Sequence, residues 1–123
     1  MRVWQVQQYG GDPVIVQVPP PIPAEGEIVV RVAAAGLNFA DMLAIQGKYQ
    51  MQPEMPFIPG GECAGVVAAV GAKVSRFKVG DKVLSAGGSG AFCQRIAVHE
   101  LGAFPMPAGL SFEQAAGVSI TYF

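Results

Sequence analysis

Two side chains in this sequence are placed to hydrogen-bond a small molecule. One is the carboxamide of Asn38, where a β-branched run gives way to helical spacing, and the other is the phenol of Tyr49, on an irregular proline-flanked stretch. An amide that donates and accepts, and a phenol, each suit the positioning of a carbonyl by hydrogen bonds. Asn38 reads equally well as the N-cap of a helix opening on Phe39, Ala40 and Asp41, and one residue can do both. Asp41 falls at the third helical position, where a carboxylate favours the helix dipole, so its reading is structural first. Tyr49 reads equally as a surface-loop tyrosine. Glu62, crowded by Gly60, Gly61 and Gly65, is expected to pair with a buried arginine. His99, the only histidine, has no serine or aspartate spaced to form a relay with it and reads as a strand-end surface residue. Cys63 and Cys93 stand alone, with no second cysteine or histidine at metal-ligand spacing, and read as two reduced core thiols. No G-x-G-x-x-G and no G-x-x-x-x-G-K occurs, so no phosphate-cradling loop is expected.

The elements that must position these residues are mostly strands. Arg2 to Gln8 alternates in the strand sense until Gly10 to Pro13 forces a turn, and Val14 to Val18 answers it. The prolines between Pro19 and Pro23 make an extended connection ending at Glu25 and Gly26. Glu27 to Ala35, nearly continuous in β-branched residues, predicts a strand buried on both faces that runs directly toward Asn38. Asn38 to Gln46 has helical spacing, closed by Gly47. Lys48 to Gly61, with Pro53, Pro56 and Pro59, predicts an irregular segment against solvent or a ligand. Strands are expected over Gly65 to Val70, Asp81 to Ser85, Ala91 to Val98 and Leu101 to Met106, with a turn at Val79 to Asp81. Ser111 with Gln114 is a capping-box pattern that opens a helix. A chain that stops on Val118 to Phe123, so soon after a fresh N-cap, reads as continuing beyond Phe123.

Composition sets outer bounds. A length of 123 residues suits one domain, and 16 Gly with 10 Pro fit short strands and tight turns better than a helical bundle. With 51% hydrophobic and 14% charged residues, disorder is not expected. Eight basic residues against nine acidic give a net charge of -1, with no basic footprint for nucleic acid. The longest uncharged stretches, such as Pro13 to Ala24 and Val83 to Gln94, fall short of the ~20 apolar residues of a membrane span. The first residues do not read as a signal peptide, which makes the cytoplasm the default location.

Several spaced motifs together carry a family resemblance. Gly36-Leu37-Asn38-Phe39-Ala40-Asp41, Gly47-Lys48-Tyr49, Phe57 to Val67 (FIPGGECAGVV), Val70-Gly71 and Phe77 to Val83 (FKVGDKV) occur in the order seen in one enzyme group. The chain resembles the N-terminal domain of the medium-chain dehydrogenase/reductase superfamily, and within it the zinc-free quinone oxidoreductases, the zeta-crystallin-like group. The resemblance implies a mostly β fold with short helices, a partly open GroES-like barrel over residues 1–110. Residues 111–123 would then start the helix leading to a Rossmann-type cofactor domain outside this chain. It also implies NADPH as cofactor, bound mainly by that other domain, and a quinone or α,β-unsaturated carbonyl as small-molecule substrate, with homodimerisation left open. Asn38 and Tyr49 would line the cleft as catalytic residues, and Asn38, Asp41, Tyr49 and Thr121 would approach the nicotinamide.

Zinc-dependent relatives in that superfamily carry a cysteine and a histidine where this chain has Asn38 and Gly61. Neither an amide nor a glycine supplies the thiolate or imidazole that zinc prefers, so a metal-free site is expected. Hydride transfer with hydrogen bonds to the acceptor is then the implied mechanism. Enoyl-thioester reduction within the same family is one alternative, and a stand-alone GroES-like module that binds partners without catalysis is another.

Overall fold

The computed structural model describes residues 1–8, 10–36, 58–86 and 90–116. Among the described residues there are seven strands: β1 (Arg2–Gln5), β2 (Val14–Gln17), β3 (Glu27–Gly36), β4 (Glu62–Val70), β5 (Lys82–Ala86), β6 (Arg95–His99) and β7 (Ala103–Pro105). All pairings are antiparallel, with β1-β2 forming a hairpin sheet and β6-β3-β4-β5-β7 a five-stranded sheet. The mostly β reading therefore holds. The expected helix over Asn38 to Gln46 and most of the irregular segment from Lys48 lie outside the described residues.

β3 is a central strand because its β-branched residues can be buried against neighbours on both sides: Ile28, Val29 and Val30 are all buried. Irregularities in the β3-β4 register between Val29 and Val30, and between Val32 and Ala34, shift which side chains face the core. On one face Ile28, Val30, Val67, Phe77, Val83 and Ala103 form a packed cluster. On the other, Ala64 and Leu84 pack with Ala115 and Ala116 of a short helix over 112–116, together with Ala34 and Phe112. The expected capping box is formed in both directions: Gln114 N–H donates to Ser111 Oγ at 3.1 Å and Ser111 N–H to Gln114 Oε1 at 3.0 Å.

Two strands are shorter than their sequence pattern. Residues 91–94 are not a strand; Cys93 makes one isolated bridge to Val3 instead, because this stretch is stitched between β1 and β3 and not laid along one partner. Leu101 is taken into a 3-10 turn, Glu100–Gly102, whose first amides are capped by His99: Leu101 N–H donates to His99 Nδ1 at 3.1 Å. This is the strand-end role expected of His99. Gly65 is a close approach: a Cβ there would overlap the carbonyl oxygen of Arg31 on the facing strand.

Candidate functional site

The site starts where β3 ends. Ala34 pairs with Ala64, Ala35 with Cys63 and Gly36 with Glu62, so the chain that bears Asn38, Asp41 and Tyr49 leaves the sheet at Gly36 and re-enters it at Gly36's own ladder partner. Asn38, Asp41, Tyr49 and Thr121 themselves lie outside the described residues. The structure gives the frame that holds both ends of the segment and places none of those four side chains.

That frame is tight. Glu62 is buried and its carboxylate lies against Gly36, where any side chain would overlap it. The expected buried arginine partner does not exist: all four arginines, Arg2, Arg31, Arg76 and Arg95, are exposed. Gly60 adopts a φ of 109°, a left-handed conformation that glycine reaches at little cost, and a Cβ there would press on Phe92. Its carbonyl accepts from Ala91 N–H at 3.1 Å and that of Pro59 from Phe92 N–H at 3.0 Å, which fixes the return limb against residues 91–92.

Beside the last residues of β3 lies a cleft of about 610 Å³, lined by Arg2, Val3, Trp4, Pro13, Ile15, Val32 to Ala35 and Ala91 to Gln94. Its walls are held by main-chain bonds: Trp4 N–H to Phe92 O at 2.9 Å and Val32 N–H to Gln94 O at 2.9 Å. Gln94 Oε1 accepts from Arg2 N–H at 2.8 Å, so this polar side chain is committed to structure. The lining is largely aliphatic and aromatic, and the volume is in the range that holds a drug-sized or ring-shaped molecule. Sequence reasoning did not find this cleft, because it is assembled from β1, β2, β3 and residues 91–94, which are remote in sequence. The available signal was the alternation in β1, which buries Val3 and leaves Trp4 47% exposed opposite Ile15, 57% exposed.

The two thiols are free, Cys63 buried and Cys93 half-buried. Burial pushes Cys63 up to about 12, with Cys93 and Glu62 adding like-charge repulsion, and burial pushes Cys93 up to about 11, partly offset by a hydrogen bond from the Arg95 backbone. Both are therefore protonated at neutral pH and unsuited to nucleophilic chemistry. Iodoacetamide at pH 8 is expected to modify them at least ~100-fold more slowly in the native chain than after denaturation. A folded-state value above the unfolded one stabilises fully below the unfolded value of 9.0, so Cys63 adds stability there that is lost as pH rises from 9 toward 12. Equal modification rates in native and denatured chain would show that the thiols are not shielded.

The alcohol dehydrogenase GroES-like domain family matches residues 24–113. The chain is 48% identical over 117 residues to a zebrafish (Danio rerio) synaptic vesicle membrane protein VAT-1 homolog, covering 93% of this chain and 24% of that protein. It is 33% identical over 127 aligned positions to the quinone oxidoreductase of Lama guanicoe, covering 100% of this chain and 38% of that protein. Among solved structures, Escherichia coli quinone oxidoreductase complexed with NADPH superposes with a TM-score of 0.88 at 36% identity, over 94% of this chain and 36% of that one. The chain thus spans about a quarter to two-fifths of the length of these proteins.

Proposed function

Because the chain belongs to the alcohol dehydrogenase GroES-like domain family of the medium-chain dehydrogenase/reductase superfamily, we propose that it supplies the substrate-side wall of an NADPH-dependent quinone oxidoreductase. The observation that carries this reading is the likeness in both sequence and fold to a quinone oxidoreductase solved with NADPH. The acceptor is a quinone or an α,β-unsaturated carbonyl, and the reaction runs without zinc in the cytoplasm. Residues 1–110 form the barrel, and residues 111–123 lead toward the cofactor domain.

The residues present fit NADPH only in part. The sequence has no Gly-rich phosphate-binding turn, so the chain has nothing to hold the pyrophosphate. When bound, the cofactor supplies a hydride; this chain's own residues position the acceptor. Asn38 and Tyr49 would donate hydrogen bonds to the acceptor carbonyl, Asp41 and Thr121 would approach the nicotinamide, and the frame of Gly36, Glu62 and Gly60 fixes the limbs of the segment that leaves and re-enters the sheet. Asn38 and Gly61, at the two positions where zinc enzymes carry ligands, leave polarisation to hydrogen bonds.

In its cleft, the 123-residue chain by itself is expected to hold the nicotinamide end of NADPH more weakly than ~1 mM. Two or three hydrogen bonds at about 1 kcal/mol each do not reach the roughly 4 kcal/mol that a millimolar constant requires. A polypeptide extending through a dinucleotide-binding domain is expected to oxidise NADPH with a quinone acceptor and to contain no zinc on elemental analysis. Micromolar NADPH affinity in the short chain, absence of quinone-dependent turnover in the longer one, or one equivalent of tightly held zinc would each contradict the corresponding part of the proposal.

A further inference from the structure

Although the chain carries a net charge of -1, three of its eight basic residues fall in one row across the sheet. Arg95 on β6 is directly opposite Arg31 on β3, Arg31 is opposite Val66 on β4, and Val66 is opposite Lys82 on β5. Partners directly opposite in antiparallel strands project from the same face, here the face that carries the helix over 112–116. Lys82 is engaged at the helix end, its Nζ lying 5.9 Å from the centre of the Phe112 ring. Arg31 and Arg95, farther along the row, are exposed and make no ion pair or hydrogen bond through their side chains among the described residues.

Like charges placed directly opposite one another on a sheet repel, and among the described residues neither guanidinium has a carboxylate to offset this. Two hollows, of about 620 and 220 Å³, flank the pair, and both arginines line both of them. No acidic residue lines either hollow among the described residues. We propose that Arg31 and Arg95 form a binding site for a phosphate group, adjoining the cleft beside β3, with which the larger hollow shares Val32 and Gln94. A guanidinium fork uses two acceptor oxygens, so one carboxylate satisfies one arginine, whereas a phosphate monoester offers three terminal oxygens and close to two negative charges. It matches two adjacent forks in both charge and acceptor number. The strands fix the two Cα positions through the β3-β6 ladder, so little ordering of the backbone is needed on binding.

Calorimetric titration of the 123-residue chain with glycerol phosphate at low ionic strength tests the site, since screening would mask so exposed a pair. The expected result is a millimolar or tighter constant, weakened at least ~10-fold in both Arg31→Gln and Arg95→Gln and unchanged in Lys73→Gln, whose side chain pairs with Glu25 at 2.8 Å on the surface. In phosphate-free buffer both arginine variants should melt at or above the temperature of the parent chain, because each removes a repulsion; this separates loss of binding from loss of folding. No binding up to ~10 mM, or equal binding by the parent and both variants, would overturn the proposal. Co-sedimentation with phosphatidylcholine vesicles containing phosphatidic acid, if abolished by the same two variants, identifies the phosphate as a lipid headgroup. Glycerol phosphate binding without sedimentation identifies it as a soluble ester.

Discussion

Replacing Gly65 by alanine is expected to cost roughly 3–5 kcal/mol of folding stability and to lower Tm by at least ~10 °C. The new Cβ would overlap the main-chain oxygen of Arg31, and a backbone atom inside a ladder cannot rotate aside as a side chain can. Relief requires β3 and β4 to separate where Arg31 pairs with Val66 and Val32 with Gly65, at the middle of the five-stranded sheet. The damage reaches β5 as well, since Gly65 also pairs with Val83, a fully buried member of the core. Gly102→Ala is the matched control: a Cβ there meets nothing within 4 Å, and its effect should stay within ~0.5 kcal/mol. Denaturant melts of the two variants decide the matter. Equal midpoints would mean that the sheet absorbs the extra atom without separating, and the close approach of Gly65 would then have no energetic weight.

The second large effect is on turnover. In a polypeptide extending through a dinucleotide-binding domain, Asn38→Ala and Tyr49→Phe are each expected to lower kcat by tenfold to a hundredfold while leaving Tm close to that of the parent. A hydrogen bond to the acceptor carbonyl strengthens as hydride arrives and charge develops on that oxygen, and its loss removes about 1.5–3 kcal/mol from the transition state. Tyr49→Phe keeps the ring and deletes only the hydroxyl, so a kinetic defect in it isolates the hydrogen bond from packing. Steady-state kinetics and thermal melts on the same preparations separate the two roles each residue can have. Unchanged kcat with a lowered Tm would return Asn38 to a helix cap and Tyr49 to a surface loop.

Local signals carried much of this protein. The β-branched run from Ile28 to Val32 could bury its bulk only as a central strand, and β3 occupies that place. Ser111 and Gln114 sit at the spacing that closes two hydrogen bonds within one helical turn, and both are formed. The family was legible for a related reason: glycines such as Gly36, Gly60 and Gly65 mark places where backbone or a buried carboxylate leaves no room for a Cβ, and such a pattern of spacings is hard to meet by chance.

Contacts between distant segments were beyond the reach of periodicity. Residues 91–94 alternate like a strand, yet Phe92 and Gln94 give their carbonyls to different partners, Trp4 and Val32, because β1 and β3 converge there in space. The same convergence builds the cleft, which no single stretch encodes. Glu62 was expected to find a buried arginine, but Arg31, on the same face of the sheet, stands opposite Val66, four residues farther along β4, and is one of the four exposed arginines of the chain. The pairing of Arg31 with Arg95 likewise depends on 63 intervening residues returning β6 to β3 in one particular register. Sequence determines which residues prefer to be strand, turn or cap, because those preferences act over a few bonds. Which charges meet, and which walls close a cleft, is settled only when strands pair, because a shift of one residue in register moves every side chain to the opposite face.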